Sequence, residues 1–401
     1  MISCTQLTEP GLIDSEIFPR PDCRLNKRGG RGRGEGRQVR LLHTSDWHLG
    51  RRFYGRSLIS DQAYVLDQMI NLVRDLNPDV CLIVGDVFEQ RRPHEDALEL
   101  FHDTVGRLID LGTTVVVLAG PTDDFSKLHL HARWVRQQGL YLLSEASQVL
   151  SPVTLRGPRD NFSVSAWCLP YVQPGSTGAA SSHPAQAGRG LIETVVQRID
   201  ANSVNLFAGY VWAQGVGKRA ELGTLVAPGG QPVEKRLFEY FDYCALGGCH
   251  QPLSLGPDTV RYSGGLLATE VESEDESLDR SVTFIALEGK QSLFVDEYPL
   301  RPRRAFRLLS GSVEELIAQG RAQRGDDLLV LRSNELELTS EQRVKLRTLG
   351  QNIVSVEQTP TQTGAESTDL LQLLAKFHEE MGGEPLDEDA WNWLKALQER
   401  M

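Results

Sequence analysis

Three short apolar runs, Val39–His43, Val80–Val84 and Thr113–Ala119, alternate with two stretches of helical periodicity, and this alternation constrains the fold more than any other feature. The runs are rich in Val, Ile and Leu, and they lack the polar alternation of a strand with one wet face. They read as strands buried on both sides. Between them, Asp61–Asp75 puts Tyr64, Val65, Met69, Leu72 and Val73 on one helical face, and Ala97–Leu111 does the same with Leu98, Phe101, Val105, Leu108 and Ile109. Strand, helix, strand, helix, strand implies right-handed crossovers and a parallel sheet, an α/β fold. Further strands are expected at 162–169, 204–208, 242–246, 259–262, 282–287 and 292–297, and a helix at 126–138. The Gly/Pro/Ser-rich stretches 171–190 and 213–235 read as loops.

Two of these strands end in residues with chemistry. Leu42-His43-Thr44-Ser45-Asp46-Trp47-His48-Leu49-Gly50 follows the first, and Gly85-Asp86-Val87-Phe88-Glu89 follows the second. The C-terminal edge of a parallel sheet is where open α/β folds build their sites, so Asp46, His48 and Asp86 converge there. Alone, Asp-x-His is a weak signal, since Asp46 could cap a helix and His48 could sit in a polar loop. The second motif at the same edge favours a metal. A donor set of carboxylate and imidazole suits Mn²⁺, Fe or Zn²⁺ better than Mg²⁺ or Ca²⁺.

With Leu118-Ala119-Gly120, Ala245-Leu246-Gly247-Gly248-Cys249-His250 and Arg261-Tyr262-Ser263-Gly264 added in the same order, the chain resembles SbcD-type members of the calcineurin-like metallophosphoesterases. That resemblance covers roughly 39–400. It implies a metallophosphoesterase sandwich of mixed sheets flanked by helices over 39–300, a small α+β cap domain at 301–357 and a C-terminal helical tail at 358–401. It also implies a metal-dependent DNA exonuclease or endonuclease, cytoplasmic and nucleoid-associated. The implied partners are an SbcC-type coiled-coil ATPase, DNA ends and a second copy in a homodimer.

In that family two metals lie about 3.5–4 Å apart and activate a water against a phosphodiester. Carried onto this chain, the first metal would take Asp46, His48, Asp86 and His250, and all are present. The second would take Asp86 and the positions of Pro121, Tyr210 and Gly248, and the general-acid histidine falls on Thr122. Pro and Gly carry no side-chain donor. Thr does not titrate near neutral pH. Tyr210 could ligate only as a phenolate, against an ordinary value near roughly 10. The losses spare the first metal, so the expectation is one divalent ion, Mn²⁺ or another transition metal, with weak or lost catalysis. The alternatives are an active phosphodiesterase whose second site is rebuilt from His129, His131 and Asp124, or a regulatory metal-binding domain unrelated to DNA. Cys249 reads as a small buried thiol or, beside His250, as a soft ligand.

Beyond the basic connector Leu300-Arg301-Pro302-Arg303-Arg304, strands are expected at 305–309, 327–332 and 352–356. A helix opens on the capping box Ser312-Val313-Glu314-Glu315 and ends at Gly320, and a second spans 340–349. After a polar linker come helices at 368–381, with Leu370, Leu374 and Phe377, and at 387–399, with Trp391. These helices either pack on the parent domain or grip the base of the ATPase coiled coil. Arg51, Arg52, Arg56, Arg91 and Arg92 lie near the site motifs and could meet DNA phosphates.

Composition adds exclusions. A net charge of −12 argues against a protein that coats DNA generally, so any nucleic-acid contact must be local. No apolar run reaches the roughly 18 residues of a membrane helix. The six cysteines show no paired spacing, which reads as reduced thiols. Residues 1–38, ending in a Gly/Arg run, cannot bury a core and read as a disordered extension. They are an inert tail, a nucleic-acid-binding arm, or a misassigned start with the native chain beginning at Val39. Intact mass of the protein from its source cell separates the last case.

Overall fold

A computed structural model describes residues 38–125, 132–157, 162–172, 184–216, 232–268, 279–322, 326–335, 338–350 and 352–358. Two six-stranded sheets face each other. The first runs in the order Ser292–Leu300, Arg280–Gly289, Val39–Thr44, Val80–Val84, Thr114–Leu118, Leu140–Leu143. Its last four strands are parallel, and the hairpin from 280 to 300 joins antiparallel. The second runs Leu253–Ser254, Val260–Tyr262, Tyr243–Gly247, Val204–Tyr210, Ser163–Leu169, Val153–Arg156, parallel in the middle and antiparallel at both edges.

Both faces of the first sheet are covered, which explains its unbroken apolar strands. Val39, Leu41, Leu82, Val84, Val116 and Leu118 point inward against Val164, Ala166, Leu206, Ala208 and Ala245 of the second sheet. Leu42, Cys81, Ile83, Val115 and Val117 point outward. There they meet Val65, Leu66, Met69 and Val73 of helix Ile59–Leu76 and Phe101, Val105 and Leu108 of helix Glu95–Asp110. The expected faces hold except at their rims, where Tyr64 and Leu98 are exposed. A Cβ on Gly247 would lie 1.8 Å from the Val84 carbonyl oxygen, so the sheets touch closely where the site will be built. His43 spans the sandwich. Its Nδ1 is 3.2 Å from the Tyr243 hydroxyl and its Nε2 3.1 Å from the Leu246 carbonyl.

One reading is corrected. Within the expected loop 171–190, a helix begins at Pro184 and runs to Val196. Its Ile192 and Val195 pack on the outer face of the second sheet with Phe207 and Leu246. Gly188 and Gly190 disguise the period in sequence, but burial of that face outweighs their propensity. The short edge strands Leu140–Leu143 and Val153–Arg156 were not expected. Helix 126–138 is seen as Ala132–Gln137, and its expected start lies outside the described residues.

A third sheet, Phe306–Gly311, Leu328–Ser333 and Ile353–Gln358, is wholly parallel. Helices Val313–Ala322 and Ser340–Arg347 cover one face through Leu316, Leu329, Leu331 and Leu346. Phe306, Leu308, Leu328 and Val330 join the first core, where Phe306 meets Phe53 edge-on at 5.0 Å. The capping box forms: Ser312 N–H donates to Glu315 Oε2 at 2.8 Å and Glu315 N–H to Ser312 Oγ at 3.3 Å. The helix runs past Gly320 to Ala322. The expected helices carrying Leu370, Leu374, Phe377 and Trp391 lie outside the described residues, as does the 1–37 extension.

Candidate metal centre

Every residue of interest lies just past the C-terminal end of a parallel strand or closes one. Asp46 and His48 follow Val39–Thr44, Asp86 follows Val80–Val84, and Thr122 follows Thr114–Leu118. Tyr210 closes Val204–Tyr210, and His250 follows Tyr243–Gly247. The site therefore straddles the upper rims of both sheets.

Asp46, His48 and Asp86 adopt left-handed backbone, with φ of 51°, 46° and 45°. For residues that are not glycine this costs of order 1–3 kcal/mol each, and it persists only where neighbours fix it. The neighbours are visible. Asp46 N–H donates to Gly85 O at 3.0 Å, His48 N–H to Asp86 O at 2.9 Å and Leu49 N–H to Val87 O at 2.8 Å, so the two motif loops zip together. Gln62, from the first helix, donates to His48 O at 2.7 Å and to Trp47 O at 3.1 Å, and it accepts from Gly50 N–H at 3.0 Å. Trp47 is buried and donates to Thr44 Oγ1 at 2.9 Å.

The side chains then converge. The Nε2 atoms of His48 and His250 are 3.0 Å apart, and one donor atom each from Asp46, His48 and His250 lies within 4.8 Å of the others. Asp86 Oδ2 is 3.8 Å from His48 Nε2. Ligands at about 2.0–2.2 Å from one ion stand roughly 3–4.4 Å from each other, so this donor set fits a single divalent cation. Asp46 is held by Gly248 N–H, 3.1 Å from each carboxylate oxygen, and by Ser45 Oγ at 2.5 Å. Ser263 Oγ donates in turn to Ser45 Oγ at 2.9 Å. Burial pushes the Asp46 carboxyl up, against the pull of His250.

The Tyr-Ser-Gly motif earns its place by shape. Gly265 N–H donates to His250 O at 2.9 Å. At Gly264 (φ 79°) a Cβ would lie 2.7 Å from Pro252 N, and at Gly265 2.9 Å from Asp46 O. Glu89 Oε2 approaches His48 Nδ1 to 3.0 Å. Burial would raise Glu89, but the neighbouring His48 outweighs it and holds the carboxyl low.

Two hydroxyls also reach Asp86. Tyr210 OH donates to Asp86 Oδ2 at 2.6 Å, and Thr122 Oγ1 lies 2.6 Å from Asp86 Oδ1. Burial, reinforced by Asp86, pushes the Tyr210 phenol well above its ordinary value, so it sits here as a phenol and not as a phenolate ligand. Asp123 accepts from Gly120 N–H at 2.8 Å, Phe88 N–H at 2.9 Å and Val87 N–H at 3.1 Å, which staples the 120–123 loop to the Asp86 loop.

Among the remaining sequence candidates, Asp124 is exposed, His129 and His131 lie outside the described residues, and Cys249 is buried in the apolar core of the second sheet. Arg52, Arg91 and Arg92 are exposed, and Arg51 and Arg56 half-buried. Arg91 Nε reaches Pro121 O at 3.3 Å, directly over the altered loop. Sequence reasoning gave no role to Ser45, Gln62, Glu89, Asp123 or Ser263. Four of them adjoin or lie in the motifs, and nothing local marks Gln62.

Residues 39–167 match the calcineurin-like phosphoesterase family. Over 289 residues the chain is 29% identical to the SbcD subunit of the SbcCD nuclease of Staphylococcus saprophyticus, covering 70% of this chain and 74% of that one. Among solved structures, TT1561 of Thermus thermophilus aligns at a TM-score of 0.39 with 13% identity, over 65% of this chain and 99% of that chain. A dimetal phosphatase from Danio rerio aligns at 0.39 with 11% identity, over 65% and 99%. No helix among the described residues is long and apolar enough to cross a membrane.

Proposed function

We propose that this chain, which is similar to the D subunit of the SbcCD nuclease and carries a calcineurin-like phosphoesterase match, serves as the nuclease-type subunit of a DNA-end-processing assembly in which it holds one divalent ion and hydrolyses weakly or not at all. The observation that carries this is the asymmetry around Asp86: imidazoles and a carboxylate on one side, a phenol and an alcohol on the other. Asp46, His48, Asp86 and His250 would hold the ion, with Mn²⁺ a good match for two imidazoles and carboxylates. A bound ion would polarise a phosphoryl oxygen and favour ionisation of a water. Asp46 is pre-set for this by Ser45 and Gly248, and His48 by Glu89.

At the position where the resemblance places the proton donor for the leaving alkoxide, the chain carries no histidine. Thr122 stands at that position, and its hydroxyl does not titrate at neutral pH. Loss of general acid catalysis alone costs about 10²–10⁴-fold. In this reading the subunit acts as a DNA clamp and as a docking partner for a coiled-coil ATPase, with 301–357 as a cap and 358–401 as the docking tail. Arg51, Arg52, Arg91 and Arg92, beside the site, suit DNA phosphates. Truncation at residue 360 is expected to abolish co-purification with the ATPase; intact co-purification counts against the docking role.

The test is Mn²⁺-dependent cleavage of linear DNA by the purified protein with its ATPase, with Asp86→Ala as control. DNA binding without cleavage above the control is expected. Robust cleavage abolished by Asp86→Ala would overturn the reading in favour of a rebuilt active site.

A further inference from the structure

Resting on the one-ion reading, we propose that the Tyr210 phenol and the Thr122 hydroxyl are a built replacement for a second cation, fixing the Asp86 carboxylate by hydrogen bonds and closing its outer side to an ion. Each carboxylate oxygen of Asp86 has a hydroxyl 2.6 Å away. A cation bound there would need that oxygen at about 2.0–2.2 Å, in the space the hydroxyls fill. Both groups have further contacts that hold them there. The Tyr210 ring lies over Gly85, where an added Cβ would come within 2.0 Å of its Cδ2, and Tyr171 stacks edge-on against it at 5.9 Å. Thr122 Oγ1 is also 2.7 Å from Phe88 O, and Thr122 N–H donates to Asp86 Oδ1 at 3.2 Å. Gly120 lets the loop close, since a Cβ there would sit 2.3 Å from both Asp86 N and Oδ1.

The fourth position is closed by backbone. Gly248 has φ of 99°, and its N–H is spent on Asp46. A ligating side chain at 248 would be strained and would disturb that bond. The hydroxyls thus reproduce one part of a cation's work, the orientation of a shared carboxylate. They supply none of the charge that a second ion brings to a phosphoryl transition state.

The experiment is Mn²⁺ binding to the full chain by equilibrium dialysis, with circular dichroism of each variant. The combined variant Pro121→Asn, Thr122→His, Tyr210→His is expected to bind one ion more per chain than the wild type. A folded variant with the wild-type count overturns the proposal. Tyr210→Phe keeps the ring and removes only the hydroxyl, so it serves if the combined variant does not fold. Its Mn²⁺ affinity is expected to fall about 10-fold or more, as for other groups that orient a metal ligand. An unchanged affinity overturns the proposal. The wild-type count judges the one-ion reading separately: two ions contradict it, whereas one ion with an unresponsive combined variant sinks only the hydroxyl replacement.

Discussion

Asp46, His48 and Asp86 hold strained backbone because the two loops that carry them hydrogen-bond to each other and to Gln62. Their side chains are therefore aimed before any ligand arrives. Asp86 is the pivot, since its Oδ2 faces His48 and accepts from Tyr210 while its Oδ1 meets Thr122. A second buried group sets a pH dependence of its own. Burial pushes His43 down to about 3, so the folded protein keeps it neutral while the unfolded chain protonates it below about 6.5. The stability due to neutral His43 is complete above that value and is lost as pH falls toward 3. Between pH 7 and pH 5 it amounts to about 2 kcal/mol. Urea unfolding of wild type and His43→Gln at both values checks this. The variant is expected to lose less stability on acidification, and equal losses would contradict the assignment.

At the scale of elements, an ion pair adds to the apolar packing that joins the third sheet to the sandwich. Arg304 donates Nε to Asp61 Oδ1 at 2.9 Å and Nη2 to Oδ2 at 2.6 Å, and Asp61 is buried. Arg304→Ala would strand that carboxylate and is expected to cost about 3–5 kcal/mol in urea unfolding. A loss under about 1 kcal/mol would mean that the pair is no more than a surface bridge. The strands around the site were legible because they are apolar on both faces, and the 301–357 elements because their caps and glycines punctuate them. The helix Pro184–Val196 was hidden by glycines whose cost only tertiary packing repays. Site legibility followed the same division. Asp46, His48, Asp86 and His250 stand out because they follow strands, but the contact of Tyr210 with Asp86 joins residues 124 apart in sequence and has no local sign.

For the whole molecule, two sheets bring their strand ends to one rim, and the site exists only where they meet. Asp46 and Asp86 come from the first sheet, His250 and Tyr210 from the second. Any ion held there would report that the two sheets are closed on each other. In the proposed function one ion sits among Asp46, His48, Asp86 and His250. Anomalous diffraction at the manganese edge, from crystals of the full chain grown with Mn²⁺, locates every such ion. A single peak among those four residues is expected, with none beside Tyr210 and Thr122. Two peaks about 3.5–4 Å apart flanking Asp86 would contradict it.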